Sequence, residues 1–460
     1  MQKEWEHDKI KIMNKNTILK VKIEDYTEEG FGIARHEGYV LFIPNTVAGE
    51  EAEILVVKAG KRFGYGKLLK LLSPSPFRVE PACPLFPRCG GCAFWHLDYQ
   101  EELRLKEKKV KDCLARIGGI DAPLSPILGA AEQRSYRNKA QFPIRNVRGR
   151  IQGGFYAPGS HGVVGGAPCA IQPALFNEIL QWTLSFMEKE GISAYEEEGY
   201  TGLVRHLYLR CGVEEKEILA CLVVNGKDFP QKERFAKALS DAFPQVRTVV
   251  INYNDRNTNV VLGKESEIIL GEGFMEDLLL DKRYRIGPQS FYQVNHGQTE
   301  VLYKKVLEYA ALKGHERVLD LYCGIGTIGL SLAEQCKELA GVEIVPQAVE
   351  NAKENAALNQ VENAAFFCAD AKAAAARFAK EGRSFDLIIV DPPRKGCDQQ
   401  TLEAICQMAP KKLIYVSCNP ATLARDLKIL REQGFELQEA TPVDLFPRTH
   451  HVETIALLAR

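Results

Sequence analysis

The sequence predicts an α/β protein, in which a parallel sheet wrapped on both faces by helices lies behind a small β-barrel and a mixed α+β middle region. Three observations carry that expectation. From Tyr284 onward, the short apolar runs VLDLY, LAGVEI, AAFFCAD, FDLIIVD and KLIYVSC alternate with helical segments, the pattern of strands buried on both faces. Near the start, TILKVKIEDYTEEGFGIARHEGYVLFIP reads as short alternating strands broken by glycines. Between these regions, a helix around Phe176 to Lys189 mixes with the strand-like runs LVRHLYLRC, EILACLVVN and TVVINYN.

Composition narrows the class. At 460 residues, 45% hydrophobic and 26% charged, the chain is globular and long enough for two or three cores. We divide it into a polar tail (1–15), the barrel (16–75), a central domain (76–283) and the α/β domain (284–460). Lys plus Arg total 59 against 60 Asp plus Glu, so a nucleic-acid partner would be held by a local basic surface and not by overall charge. Such a surface is expected from Arg134 to Arg150, which holds six basic residues, two aromatic ones and no acid. The apolar runs fall far short of the roughly 20 residues of a membrane helix. The opening residues lack the continuous apolar stretch of a secretory leader. A cytoplasmic protein with reduced cysteines is therefore expected, with no membrane association and no obligate protein partner.

Ser73 to Phe77, Ser-Pro-Ser-Pro-Phe, stiffens the chain after the barrel. Cys83, Cys89 and Cys92 follow at C-x5-C-x2-C spacing, a candidate metal site whose metal the spacing does not choose. Gln100 to Ile117 places Leu and Val at helical spacing among Lys and Glu, an amphipathic helix.

In the α/β domain, VLDLYCGIGTIG at Val318 to Gly329 is a strand running into a glycine turn that opens a helix. Gly324 and Gly326 would let the backbone approach a ligand. Glu343 ends the next strand, where a carboxylate can accept hydrogen bonds from both ribose hydroxyls. Asp320, Asp370 and Asp391 stand at three further strand ends, although Asp370 reads equally well as a helix N-cap. The crevice has no phosphate cradle, so the cationic sulfonium of S-adenosylmethionine suits it better than a dinucleotide.

Cys418 ends an apolar strand, with Asn419 as N-cap and Pro420 as first helical residue. A helix N-terminus is expected to lower the thiol pKa and make Cys418 a nucleophile. Cys113, Cys211, Cys221, Cys336 and Cys406 read as inert buried thiols, while Cys323 and Cys397 are left open. Glu453 interrupts the apolar strand THHVETIALLAR, as a general base or as a salt-bridged strand residue. His450 and His451 read as structural, and Arg394 as a contact to an RNA phosphate or a solvated side chain.

Taken together, FYQVN, LDLYCGIG, VDPPRKG, YVSCNP and HHVETIALL resemble the RNA uracil-5 methyltransferases, especially the branch acting on 23S ribosomal RNA. The resemblance implies a Rossmann-like class I methyltransferase domain and, from EGFGIAR and IPNTVAGE, a TRAM RNA-binding barrel. It implies that Cys418 is the nucleophile and Glu453 the base, with Gln293, Tyr322, Glu343 and Asp391 lining the S-adenosylmethionine site. The resemblance extends the cofactor site to Thr327, where related enzymes often carry asparagine. The resemblance also implies a 4Fe-4S cluster on Cys83, Cys89, Cys92 and Cys169, and RNA as partner. Transfer-RNA relatives generally lack the barrel and the cysteines, which favours 23S ribosomal RNA as substrate. The alternatives are a tRNA uridine-C5 enzyme, an RNA cytosine-C5 enzyme, and an RNA-binding assembly factor.

Overall fold

The computed structural model describes residues 13–121, 123–213 and 216–460. Strands β1 (Ile18–Tyr26), β2 (Gly32–His36), β3 (Tyr39–Ile43), β4 (Glu51–Ala59) and β5 (Phe63–Ser73) close into a barrel in the order β1-β2-β3-β5-β4. Period-2 alternation turns Ile23, Ala34, Leu41, Ile43, Ile54 and Val56 into its core. Beyond the barrel, Phe94 and Leu97 pack on Tyr26 and Val47. These residues belong to one of two compact units, Met1–Leu105 with Arg448–His450; the other is Lys106–Pro447 with His451–Arg460. Helix α1 (Tyr99–Cys113) occupies the predicted amphipathic stretch.

In the second unit, a seven-stranded sheet has the order β12-β11-β10-β9-β6-β7-β8. Its strands are β6 (Lys139–Val147), β7 (Arg150–Tyr156), β8 (Val163–Gly165), β9 (Val204–Cys211), β10 (Ile218–Val224), β11 (Val246–Tyr253) and β12 (Glu265–Leu270). Helix α2 (Ala174–Lys189) packs on it, and α3 (Lys232–Ala242) makes the crossover that the parallel pair β10–β11 requires. A hairpin, β13 (Met275–Leu279) and β14 (Lys282–Ile286), leads to α4 (His296–Ala310).

The second seven-stranded sheet is the predicted α/β domain. Its elements are β15 (Arg317–Leu321), α5 (Thr327–Leu332), β16 (Glu338–Glu343), α6 (Pro346–Leu358), β17 (Ala364–Cys368), α7 (Ala371–Lys380), β18 (Leu387–Val390), α8 (Gln399–Met408), β19 (Lys412–Ser417), α9 (Pro420–Glu432), β20 (Glu436–Val443) and β21 (Glu453–Ala459). The order is β17-β16-β15-β18-β19-β21-β20. Five strands are parallel, and all of these but the edge strand β17 are buried on both faces, which is why they read as continuous apolar runs. The order reverses beside β15, opening a crevice at the carboxyl ends of β15 and β18. Strand β21 runs antiparallel to β19, with Thr454 opposite Ser417, so its first residue stands at that same carboxyl edge. No helix among the described residues is long and apolar enough to cross a membrane.

Candidate active site

Strand β15 ends in a turn that places backbone, not side chains, against the crevice. Tyr322 adopts φ 67, a left-handed conformation uncommon for a bulky residue. Gly324 has φ +56, and open space lies where its Cβ would stand. Glu343 accepts the Gly324 N–H on Oε2 at 3.1 Å and the Val345 N–H on Oε1 at 2.9 Å, so the turn and the strand end hold each other. Gly326, at φ 84, starts α5. Asp320 is buried; its Oδ2 accepts the Gly329 N–H at 3.0 Å, and Oδ1 has no partner among the described residues. Burial lifts its pKa to about 8, against the Gly329 hydrogen bond and with the carboxylates of Asp391 and Glu343 adding.

The other predicted ligands are distributed differently. Gln293 is buried, its backbone carbonyl accepting from Asn138 Nδ2 at 3.0 Å. Thr327 shares a 2.7 Å hydrogen bond with the Tyr303 hydroxyl. Tyr322 turns its hydroxyl toward Thr401 and Cys397. Asp370 is exposed and caps α7, accepting the Ala373 N–H at 3.2 Å, so its side chain takes the capping alternative.

Cys418, half-buried, follows β19, and the register with β21 brings Glu453 beside it. Glu453 is 4% exposed. Its pKa is pushed up to about 8, by burial first and then by Asp391, with Arg394 opposing. Burial likewise lifts Asp391 to about 7. The Cys418 thiol is pushed up to about 11 by burial, then by Glu453 and Asp391, with Arg394 opposing. This corrects the expectation of a lowered thiol pKa. The end of α9 has little to offer sulfur, because Pro420 has no N–H and the Ala421 N–H is taken by Asn419 Oδ1 at 3.1 Å.

The Asp391-Pro392-Pro393-Arg394 loop is tied to that same cap. The Arg394 carbonyl accepts from Asn419 Nδ2 and from Thr422 Oγ1, both at 3.2 Å. Arg394 Nη2 lies 3.3 Å from His451 Nε2. His451 is thus part of the site, which the sequence reading missed. The available signal was its position two residues before Glu453. Cys323 and Cys397 are buried with thiols pushed upward by that burial, and they join the inert group.

In the first unit, Cys83 is buried and Cys89 and Cys92 are half-buried. Cys89 Sγ accepts the Gly91 N–H at 3.4 Å, and its thiol is raised by burial, with Cys83 adding. Among the described residues, no three Cys, His, Asp or Glu side chains are gathered to hold a metal. The expected cysteine metal site is therefore not found among the described residues. Turns of this kind converge their ligands on the metal that they bind.

A family model described as tRNA (uracil-5-)-methyltransferase matches residues 237–460, and one described as TRAM domain matches residues 14–69. An RNA methyltransferase of Bacillus cereus is 44% identical over 97% of this chain and 98% of its own length. One of Staphylococcus aureus is 40% identical, over 96% and 98%. The crystal structure of the Pyrococcus abyssi tRNA (uracil-54, C5)-methyltransferase in complex with S-adenosyl-L-homocysteine superposes with a TM-score of 0.78 at 28% identity, over 96% of this chain and 99% of that one. That match, to a tRNA enzyme, extends over nearly the whole of both chains.

Proposed function

The chain belongs to the RNA uracil-5 methyltransferase family and depends on S-adenosylmethionine, and on that premise we propose that it methylates carbon 5 of a uridine in 23S ribosomal RNA through a covalent Cys418 adduct. The observation that carries the reading is the meeting of Cys418, Glu453 and Asp391 at one carboxyl edge.

Carbon 5 of uracil is a weak nucleophile. Addition of the Cys418 sulfur to carbon 6 shifts the double-bond electrons into an enolate, which makes carbon 5 nucleophilic. S-adenosylmethionine supplies an electrophilic methyl group and leaves as S-adenosylhomocysteine. Glu453, with a pKa near 8, is once ionised a strong enough carboxylate to take the proton from carbon 5. Loss of the sulfur then restores the ring double bond. Gln293, Glu343 and the open face of Gly324 would hold the cofactor. These groups fit a ribose and a cationic sulfur: each Glu343 oxygen accepts one backbone N–H and keeps a lone pair for a ribose hydroxyl, and Asp320 Oδ1, at the same carboxyl edge of the sheet, is an acceptor without a partner among the described residues.

The cysteine segment and the motif resemblance support the ribosomal substrate. A tRNA uridine is the second reading, favoured by the Pyrococcus abyssi match. We also propose that Cys83, Cys89, Cys92 and Cys169 hold a 4Fe-4S cluster. Anaerobically purified protein should then carry iron and acid-labile sulfide, both lost on substitution of Cys89 by Ser.

The deciding experiment incubates the protein and S-adenosylmethionine with 5-fluorouridine-containing 23S RNA and, in parallel, tRNA. Fluorine blocks the last proton removal, so a methylated adduct that survives denaturation is expected with wild type and absent with Cys418→Ala. Trapping on tRNA alone would move the substrate, and trapping on neither would leave cytosine methylation or an assembly role.

A further inference from the structure

The barrel's two inward glycines have an outward consequence. A Cβ on Gly64 would lie 2.7 Å from the Lys58 carbonyl and 3.0 Å from the Tyr39 hydroxyl, and one on Gly66 would lie 2.8 Å from Ile54 Cδ1. These positions must therefore face inward, and strand alternation sends Phe63, Tyr65 and Lys67 to the outer surface. Parallel pairing of β3 with β5 sets Phe42 opposite Tyr65 and Val40 opposite Phe63. The three rings gather on the outside, Phe42–Phe63 at 5.4 Å, Phe42–Tyr65 at 5.7 Å and Phe63–Tyr65 at 6.1 Å between centroids. Phe63 is 46% exposed, and Phe42 and Tyr65 are half-buried.

Single exposed apolar residues are ordinary on a protein surface, but three contiguous rings are not. Their charge setting points to the occupant. Lys58 Nζ stands 5.8 Å from the Tyr65 ring centroid. From Ile54 to Leu72 the chain holds five basic residues, Lys58, Lys61, Arg62, Lys67 and Lys70, and no acidic one. On the neighbouring strand, Arg35 pairs with Glu24, so the nearby carboxylate is already matched. Aromatic faces among cations are what an unpaired RNA strand requires: bases stack on rings while the phosphates meet ammonium and guanidinium groups. A duplex, with its bases enclosed, can use only the cations.

We propose that Phe42, Phe63 and Tyr65, with Lys58 and Arg62, form a stacking platform for unpaired bases of the RNA substrate outside the target uridine. The inference rests on RNA being the substrate and adds where on the barrel it is held and in which state. Phe63 and Tyr65 lie outside the barrel core, so their replacement should leave the fold intact, to be verified by thermal melting.

The test compares full-length wild type with the double variant F63A/Y65A, using fluorescein-labelled single-stranded oligouridylate and an RNA duplex of equal length, read by fluorescence anisotropy. The variant should bind the single strand about ten-fold more weakly or worse, with duplex binding unchanged and Phe63→Trp binding like wild type. In methyl transfer, KM for RNA should rise while kcat at saturating RNA stays the same. Equal single-strand affinity of wild type and F63A/Y65A would overturn the proposal and leave the rings to a protein partner. Because the anisotropy needs no catalysis, a failure of adduct trapping would strike the reading of Cys418 and not the platform.

Discussion

The two ends of the carboxyl-terminal sheet treat the same residue type in opposite ways. At the amino-terminal edge, Asp386 accepts from Lys411 Nζ at 2.9 Å and from the Arg317 N–H at 3.1 Å, and the lysine first and the N–H second hold its carboxyl below its ordinary range. Glu338 there meets Arg317 at 3.0 Å and Arg383 at 3.1 Å. At the carboxyl edge, Asp320, Asp391 and Glu453 are all pushed upward by burial, and Arg394 is the cation that opposes the shift at Glu453. One edge is arranged for stability, while the other keeps groups in states that the fold disfavours. Such sites are where a stability cost and a chemical role coincide.

The comparison is broken most directly at Glu453. Glu453→Gln should lower turnover on the order of 10²- to 10⁴-fold, while an adduct with ordinary uridine, methylated at carbon 5, accumulates on denaturing gels. The same change should stabilise the protein. The wild-type carboxyl titrates near 8 when folded, against 4.5 for the free group, so its contribution is fully present below the lower value and is lost as pH rises toward 8. Urea unfolding at pH 8 should show a gain of a few kcal/mol, since each tenfold change in proton affinity between the folded and the free carboxyl is worth about 1.4 kcal/mol. A destabilised variant would mean that the carboxylate is satisfied, and the contrast between the edges would fail.

A smaller effect should appear in the pH profile. With the thiol raised to about 11, the thiolate share grows with pH, and trapping on 5-fluorouridine RNA should accelerate about ten-fold for each step of one in pH from 6 toward 8. A rate that is flat over this range would show that the thiolate is already formed. Smallest of all should be Asp386→Ala at the opposite edge, costing about 1 kcal/mol of stability at pH 7 and nothing in kcat. Because the Asp386 pKa is lowered, that stability is present above the ordinary carboxylate range and lost as pH falls, the reverse of Glu453.

Much of the site was readable because its signals are local. Asn419 and Pro420 announce the start of α9, and the structure has them as N-cap and first residue. Glu453 is conspicuous because a charge in the run VETIALL has no reason of its own. Asp370 carries the same kind of signal and proves to be a helix cap, since strand-end Asp and N-cap Asp look alike until the side chain is seen to accept the Ala373 N–H. Thr327 was read as a cofactor-site residue from its place after the glycine turn, but its hydrogen-bond partner could not be read, since Tyr303 lies 24 residues away on another helix. The thiol of Cys418 was misjudged because a helix N-terminus was counted as a free dipole, when its cap and proline leave few donors to act.

The order of residues by itself determined the barrel, the alternation of strand and helix, the glycine turn after β15 and the presence of a cysteine after β19, because each follows from periodicity, capping and turn chemistry within a few residues. Which of these meet was decided by tertiary structure. Cys418 and Glu453 are neighbours only because β21 runs antiparallel to β19 with Thr454 opposite Ser417. Their protonation states follow from how much water the packed sheet excludes and which charges it places across the gap, quantities that exist only once the strands have paired.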